Sequence, residues 1–439
     1  MNRKGIITIY NYLLIIIAIS FSSCSSSLFF FSKKHKLINK FSHSQVLQKE
    51  FTGFVLFDIA NNKNIIKING DKYFTPASNT KILTFYTSLK VLNDSMPIVQ
   101  YLIKGDSLIF WGTGNPLCLN PDFNKSINNL KFLKNNDKKL FYCTDNFQDN
   151  RFGSGWAWDD YIYSYQYEKS PFPIYGNRLS INFKEDSLIA VPNIFNINNK
   201  QDSNYYFRDE FKNDFQFGKF SKGYSLQIPF ITDSLSIVKL LSIATNKQIN
   251  KCPDLTLNDK YKAKTLKIKT PDTLYLRLLH NSDNFIAEQL MQMCSFTLFD
   301  TINTQRAIKY SKEFILPKLD GRCRWVDGSG LSRYNLFSPN DMIYALKMIY
   351  DTLNWEQITT FFPTAGKSGT LKNSYTNIKI PFIYAKSGSL SNNYNLSGYI
   401  LTKKGNKYIF SFMNNHFLTN SKSIKQEMEN IFKYIYMNY

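Results

Sequence analysis

The sequence predicts an α/β domain assembled from the two ends of the chain around a β-rich insertion. Three observations carry this prediction. Within residues 51–95 an apolar strand and hairpin run directly into a helical pattern. Residues 96–265 change texture, with Asn, Asp, Lys and aromatics between short strand-like pieces. From residue 270 onward the helical spacing returns, followed by three strands and a final amphipathic helix, so residues 266–439 resume the interrupted domain. No internal repeat is visible.

The elements follow in order. Thr52–Asp58 (TGFVLFD) is an apolar strand, Asn61–Asn64 a turn, and Ile65–Ile68 a second strand, together a hairpin. Ile82, Leu83, Tyr86, Leu89 and Leu92 recur at helical spacing, so a helix starts near Ser78 and buries one face. In the insertion, Ser107–Trp111, Leu179–Phe183 and Ser225–Ile231 read as strands, and no long amphipathic helix is clear. Leu274–Leu279 and Asn284–Phe296 read as helices. Phe382–Ser387, Asn395–Thr402 and Lys407–Met413 are strands. Ser423–Tyr436 closes the chain as a helix with Ile424, Met428, Ile431, Phe432 and Ile435 on one face.

Composition narrows the class. The 439 residues suit two to three domains at ~100–200 residues each. A hydrophobic share of 43% and a charged share of 20% fit a folded chain and not a disordered one. Lys and Arg outnumber Asp and Glu by 54 to 33, a net charge of +21. A nucleic acid or a membrane surface would attract such a charge. The lysines, however, are spread among an excess of Asn, Ile, Phe and Tyr, with no dense basic stripe. That pattern reads as compositional drift, and no nucleic-acid partner is expected. Four histidines, with His35 and His43 near the N-terminus, exclude a His-rich metal site; a His-based triad would have to use His280 or His416.

Residues 1–24 read as a signal or lipoprotein segment. Arg3 and Lys4 precede an apolar run from Ile6 to Ile19, and Phe21-Ser22-Ser23-Cys24 follows. This is the layout of an export signal, and the run is shorter than the ~20 residues of a comfortable membrane span. Cys24 after two small residues resembles a bacterial lipoprotein processing site, with Cys24 as the lipid attachment point, although Phe21 departs from the usual aliphatic residue. An ordinary signal cut nearby and an uncleaved anchor stay open. Each places the body in the cell envelope, in the periplasm, and the lipid reading adds a membrane anchor. Residues 25–50 are polar, rich in Ser and Lys, and read as a tether. Cys118, Cys143, Cys252, Cys294 and Cys323 match no paired metal-binding spacing; most are expected as buried free thiols, and any disulfide pairing stays open.

Three short motifs carry chemistry. In Ser78-x-x-Lys81 the two residues share one face at a helix start, so the lysine can take the proton that makes serine a nucleophile, provided burial lowers its pKa. Taken alone the pattern equals a helix cap followed by a surface lysine. Ser282-Asp283-Asn284 precedes a helix; the hydroxyl can relay a proton and the amide can hold a carbonyl, while all three types also favour helix caps. Lys386-Ser387-Gly388-Ser389 ends a strand; Gly admits a substrate backbone closely, and the cation and hydroxyls suit a carboxylate.

In this order, SxxK, SxN and K[ST]G are the motifs of serine β-lactamases and penicillin-binding proteins. The longer segments PASNTKILT, NSDNFIAEQL, VDGSGLSRYN, PTAGKSGTL and AKSGSL with NLSGYI resemble the D-Ala-D-Ala carboxypeptidase/endopeptidase family of the class C low-molecular-mass penicillin-binding proteins, peptidase family S13. GSGWAWDD and GTGNP resemble segments of that family's inserted region. The resemblance covers residues 50–435 and implies a penicillin-binding, transpeptidase-like fold, an antiparallel sheet flanked by helices. Ser387 stands where Thr is common, which keeps the hydroxyl; Asn115 replaces a frequent acidic residue.

The resemblance implies that Ser78 attacks the penultimate D-Ala carbonyl of a peptidoglycan stem peptide, that Lys81 takes its proton, and that Ser282 with Lys386 protonates the departing amine. Asn284 would bind the donor amide, Ser387 and Ser389 the terminal carboxylate, and the N–H groups of Ser78 and Ser389 the oxyanion. Gly388 lines the substrate strand. No metal or other cofactor is implied, and β-lactams would acylate Ser78. A β-lactamase would want a deacylating Glu motif after Asn284; Glu288 lies there without one. A non-catalytic wall-binding protein on the same fold is the other alternative. The GSGLS run (328–332) reads as a turn near the site, GKSGT (366–370) as a local loop, and Trp156–Asp160 as packing of the insertion in preference to its alternative, a sugar-stacking surface.

Overall fold

A computed structural model describes residues 32–123, 130–184, 188–199, 205–256, 259, 261–376, 378–418 and 420–439. Residues 1–24, read above as a signal or lipoprotein segment ending at Cys24, lie outside the described residues. The catalytic sheet holds β1 (Phe51–Asp58), β2 (Lys63–Ile68), β3 (Ile383–Leu390), β4 (Asn393–Leu401) and β5 (Lys407–Asn415). Its order is β3-β4-β5-β1-β2, antiparallel throughout. β1 pairs with β5 from Phe51↔Asn415 to Asp58↔Tyr408, so strands from the two ends of the chain lie side by side.

Alternation along the strands divides the core. Val55, Phe57, Ile409 and Met413 face α1 (Lys81–Leu92), α2 (Asp272–His280), α3 (Asn284–Phe299) and α4 (Pro339–Tyr350). Phe54, Leu56, Phe410 and Phe412 face the opposite way, onto Ile424, Met428, Ile431 and Phe432 of α5 (Ser421–Asn438). Coverage on both faces explains why β1 reads as an unbroken apolar run. Residues 32–42, expected within a tether, form a helix that also packs here. Its buried Leu37 and Phe41 sit one turn apart and join the α5 cluster. Leu37, Ile38 and Phe41 are its apolar residues, and Ile38 is exposed, so its packing partner, and not its own pattern, specifies it.

The insertion is built on a second five-stranded sheet. Its order is Ile249–Lys251, Lys139–Cys143, Ser107–Gly112, Ser95–Lys104, Lys264–Lys269. The chain leaves the catalytic domain on Ser95–Lys104 and returns on the adjacent antiparallel strand, which runs on to Lys269. The insertion sheet therefore extends past residue 265. Two three-stranded sheets complete the region. The insertion also holds a helix, Ser234–Thr245, where no long amphipathic helix is expected; Asp233 caps it by accepting from Ser236 N. Cys143 and Cys252 form a disulfide between neighbouring strand ends, while Cys118, Cys294 and Cys323 are free. No helix among the described residues is long and apolar enough to cross a membrane.

Candidate active site

Ser78 lies on a 3₁₀ turn, Ala77–Thr80, just ahead of α1. The helix was expected to begin at Ser78; the tighter turn replaces its first residues. With three residues per turn, positions three apart eclipse, which sets Lys81 against Ser78. Lys81 is fully buried. Its Nζ donates to Ser78 Oγ at 2.9 Å, Asn284 Oδ1 at 2.5 Å and the Ser329 carbonyl at 2.6 Å. Burial lowers its pKa to about 8, against the opposing pull of Asp327, Glu288 and Asp283. At pH 7 roughly a tenth of such a group is the free amine, the form able to accept the serine proton.

The second motif serves both as a cap and as part of the site. Asp283 caps α3, its Oδ1 accepting from Ile286 N, and its Oδ2 takes two bonds from Arg277. This fixes Asn284 at the first helical position and holds Ser282 in the left-handed region at φ 56°. Ser282 Oγ accepts from Lys386 Nζ at 2.8 Å. Asn284 Nδ2 donates to the Tyr165 carbonyl at 2.9 Å; its second hydrogen remains for a ligand.

The third motif occupies β3, the edge strand beside the 3₁₀ turn. Asn79 Nδ2 donates to the Lys386 carbonyl and ties the two together. Gly388 is needed for this approach: a Cβ there would lie 2.5 Å from the Pro76 carbonyl oxygen and 3.0 Å from Ser78 N. Lys386 is fully buried, and its pKa falls well below the usual lysine value through burial first and the nearby Lys81 second. Ser387 Oγ lies 2.7 Å from Thr370 Oγ1, while Ser389 is exposed and lines the cleft. All the predicted catalytic and substrate-binding residues thus converge on one place.

Sequence reasoning missed several contributors. Thr370 belongs to the GKSGT loop and reaches the site only because that loop packs beside β3. Glu288, which no motif marks, is fully buried. Its Oε1 accepts from Ser329 N at 2.8 Å, and the Ser329 carbonyl in turn holds Lys81. Burial first, then Asp327, raise the Glu288 pKa to about 7. Asp327 organises the GSGLS turn by accepting from Gly330 N, Ser332 N, Asn335 Nδ2 and Trp156 Nε1. The Ser329 side chain is fully buried, so that run supplies a backbone acceptor and no second nucleophile. Asn115 accepts from Leu117 N and donates to the Pro97 carbonyl, a turn-forming role within the insertion.

A cleft of about 660 Å³ opens over Ser78, Ser282, Asn284 and Ser389. The insertion supplies one wall, with Asp160 and Tyr165, and the loop after the GSGLS turn supplies Arg333. Among the described residues no cluster of three or more His, Cys, Asp or Glu could hold a metal. A buried lysine beside a serine hydroxyl, a second lysine and serine across the cleft, and an exposed strand end together suit acyl transfer.

The sequence profile of the D-Ala-D-Ala carboxypeptidase 3 (S13) family matches residues 35–205 and 270–434. The D-alanyl-D-alanine carboxypeptidase DacB of Haemophilus influenzae is 25% identical over 413 residues, covering 83% of this chain and 85% of the relative. Penicillin-sensitive carboxypeptidase A of Dictyostelium discoideum is 25% identical over 400 residues, covering 77% and 76%. The crystal structure of penicillin binding protein 4 from H. influenzae superposes with a TM-score of 0.71 at 20% identity, over 92% of this chain and 99% of that one. With the profile spanning most of the sequence and the serine, lysine and asparagine groups assembled in one cleft, the chain belongs to the D-Ala-D-Ala carboxypeptidase 3 (S13) family and is a serine peptidase acting on peptidoglycan.

Proposed function

We propose that Ser78 is the nucleophile and that Lys81 is its general base. The observation that carries this reading is the 2.9 Å contact between Ser78 Oγ and the Nζ of a fully buried lysine. Ser78 Oγ bonds to the carbonyl carbon of the penultimate D-Ala as its proton passes to Lys81. The oxyanion is held by the N–H groups of Ser78 and Ser389; donors of this kind contribute ~2.7–4 kcal/mol each. The C–N bond then breaks, with the proton delivered to the leaving amine through Ser282 and Lys386. Water, entering where the amine left, hydrolyses the ester and regenerates Ser78.

The low pKa of Lys386 fits this cycle. A substrate carboxylate at Ser387 and Ser389 would favour the charged ammonium, so substrate binding itself protonates the group that later assists departure. Asn284 both positions Lys81 and offers its free hydrogen to the donor amide. β-Lactams would acylate Ser78 in the same way; the penicillin sensitivity in the name of the Dictyostelium relative supports this. Carboxypeptidase and endopeptidase cleavage share this chemistry and differ in the leaving group beyond the scissile bond. The test is release of free D-alanine from an acyl-D-Ala-D-Ala peptide. Wild type should release it and Ser78→Ala should not; equal release by the variant would overturn the assignment.

Residues 1–24 support export to the periplasm, with Cys24 as the lipid attachment point. Wild type should then fractionate with membranes and Cys24→Ala with the soluble envelope fraction. A soluble wild type would remove the lipid anchor from this reading.

A further inference from the structure

The insertion wall carries aromatic rings that the acyl-transfer chemistry does not use. The two tryptophans of the GSGWAWDD segment have opposite fates. Trp156 is tied down, its Nε1 donating to Asp327 Oδ2 at 2.9 Å. Trp158, two residues on, is 76% exposed. Tyr163 and Tyr165 are 41% and 44% exposed, and their rings stack with centroids 5.4 Å apart and planes 15° from parallel. All three belong to one short 3₁₀ turn, Trp158–Ile162, and the residues just after it.

This segment is part of the cleft and not a remote surface. Asp160 from the turn and Tyr165 after it line the space above Ser78. The Tyr165 hydroxyl bonds with Asp160, its carbonyl accepts from Asn284 Nδ2 at 2.9 Å, and Gln166 Nε2 closes the loop onto the Ala157 carbonyl at 2.8 Å. Tyr165 is thereby tied to the asparagine that also holds Lys81, Tyr163 stacks on it, and Trp158 stands beside Ala157 and Asp160 of the cleft lining.

We propose that Trp158 and the Tyr163–Tyr165 stack form a saccharide platform, which takes the N-acetylated hexose ring that carries the stem peptide. This rests on the stem-peptide reading above. A pyranose has an apolar C–H face and a rim of hydroxyl and amide groups. Bare aromatic faces interleaved with the carboxylates of Asp159 and Asp160 match both. The four stem residues before the scissile bond, extended at ~3.3–3.6 Å per residue, reach roughly 13–14 Å from it. The sugar therefore lies beyond the reacting atoms, toward the insertion wall that lines the same cleft. The platform would make the enzyme prefer stems still attached to glycan.

The test compares one pentapeptide ending in D-Ala-D-Ala, free or attached to its disaccharide. In Trp158→Ala, Tyr163→Ala and the double variant, kcat/KM on the free peptide should stay within twofold of wild type. On the disaccharide-linked substrate it should fall at least tenfold, chiefly through KM, and Trp158→Tyr should recover most of it. Equal losses on both substrates, or none on the linked one, would overturn the platform. A second measurement stands apart from peptidase activity: titration of peptide-free disaccharide against intrinsic fluorescence. Wild type should show a saturable change that Trp158→Ala lacks, and identical curves would refute the platform. A wild type that binds the disaccharide yet cleaves neither peptide would contradict the peptidase reading alone.

Discussion

The catalytic domain and the insertion each rest on a five-stranded sheet, and they use it differently. In the catalytic domain both sheet faces are covered, and two lysines are buried outright beside the edge strand. Burying an ammonium is costly unless its donors are satisfied or it loses its charge. Here the neighbours of Lys81 are two side-chain oxygens and one carbonyl, and its pKa falls towards the working pH. In the insertion the sheet is braced by a disulfide, and the wall facing the cleft exposes aromatic rings. On the reading proposed here, chemistry resides in buried charge on one side of the cleft, and substrate selectivity in exposed rings on the other. Changes on the first side should strike acylation, and changes on the second should leave it standing.

The sharpest break should come from Lys81→Ala. General bases contribute ~10²–10⁴ in rate, so β-lactam acylation followed by stopped-flow should slow by that factor, with thermal stability kept or raised. A near-normal rate would mean that another base serves Ser78. Next, replacing Cys143 and Cys252 together by Ala should destabilise the insertion by ~2–4 kcal/mol, read from denaturant unfolding of the envelope-exported protein. Acylation in buffer should change less than threefold; a collapse of acylation would show that the two regions form one cooperative unit.

Smaller effects refine the catalytic side. Thr370→Val removes the hydrogen bond to Ser387, and a net ~0.5–1.5 kcal/mol translates into a roughly 2- to 12-fold loss in kcat/KM for peptides with a free terminal carboxylate. An ester lacking that carboxylate should be affected less. The pH dependence supplies the finest distinction. Acylation should rise with pH as Lys81 loses its proton and level off above about 8. The Glu288 carboxylate raises the Lys81 pKa, so Glu288→Gln should move this rising limb to lower pH, most clearly above pH 7, where Glu288 is ionised. A limb that moves up or stays in place would exclude this electrostatic role.

The sequence made the proposed nucleophile, the proposed base and the strand motif legible because each lies within a few residues of its own partners. Ser78 and Lys81 share one turn, and Lys386 to Ser389 share one strand end. Glu288, Ser329 and Thr370 gave no such sign, because their roles exist only where separate loops meet. The same limit applies to the fold. The strong apolar periods of β1 and α5 were readable, whereas the helix at 32–42 offers only Leu37 and Phe41 to the α5 cluster. The Cys143–Cys252 pairing joins strand ends 109 residues apart and depends on parallel neighbours no spacing rule reveals. Trp156 and Trp158 look alike in sequence, and only the tertiary bond to Asp327 separates the packed ring from the bare one.

The central claim is that one serine, activated by a buried lysine, forms the acyl-enzyme. Intact-mass spectrometry of the protein after brief exposure to benzylpenicillin tests it most directly. Wild type should gain the mass of one penicilloyl group, localised by digestion to the peptide containing Ser78, and Ser78→Ala should gain none while remaining folded. An adduct of the same mass on the Ser78→Ala protein, or one mapped to a peptide that lacks Ser78 in the wild type, would contradict the account.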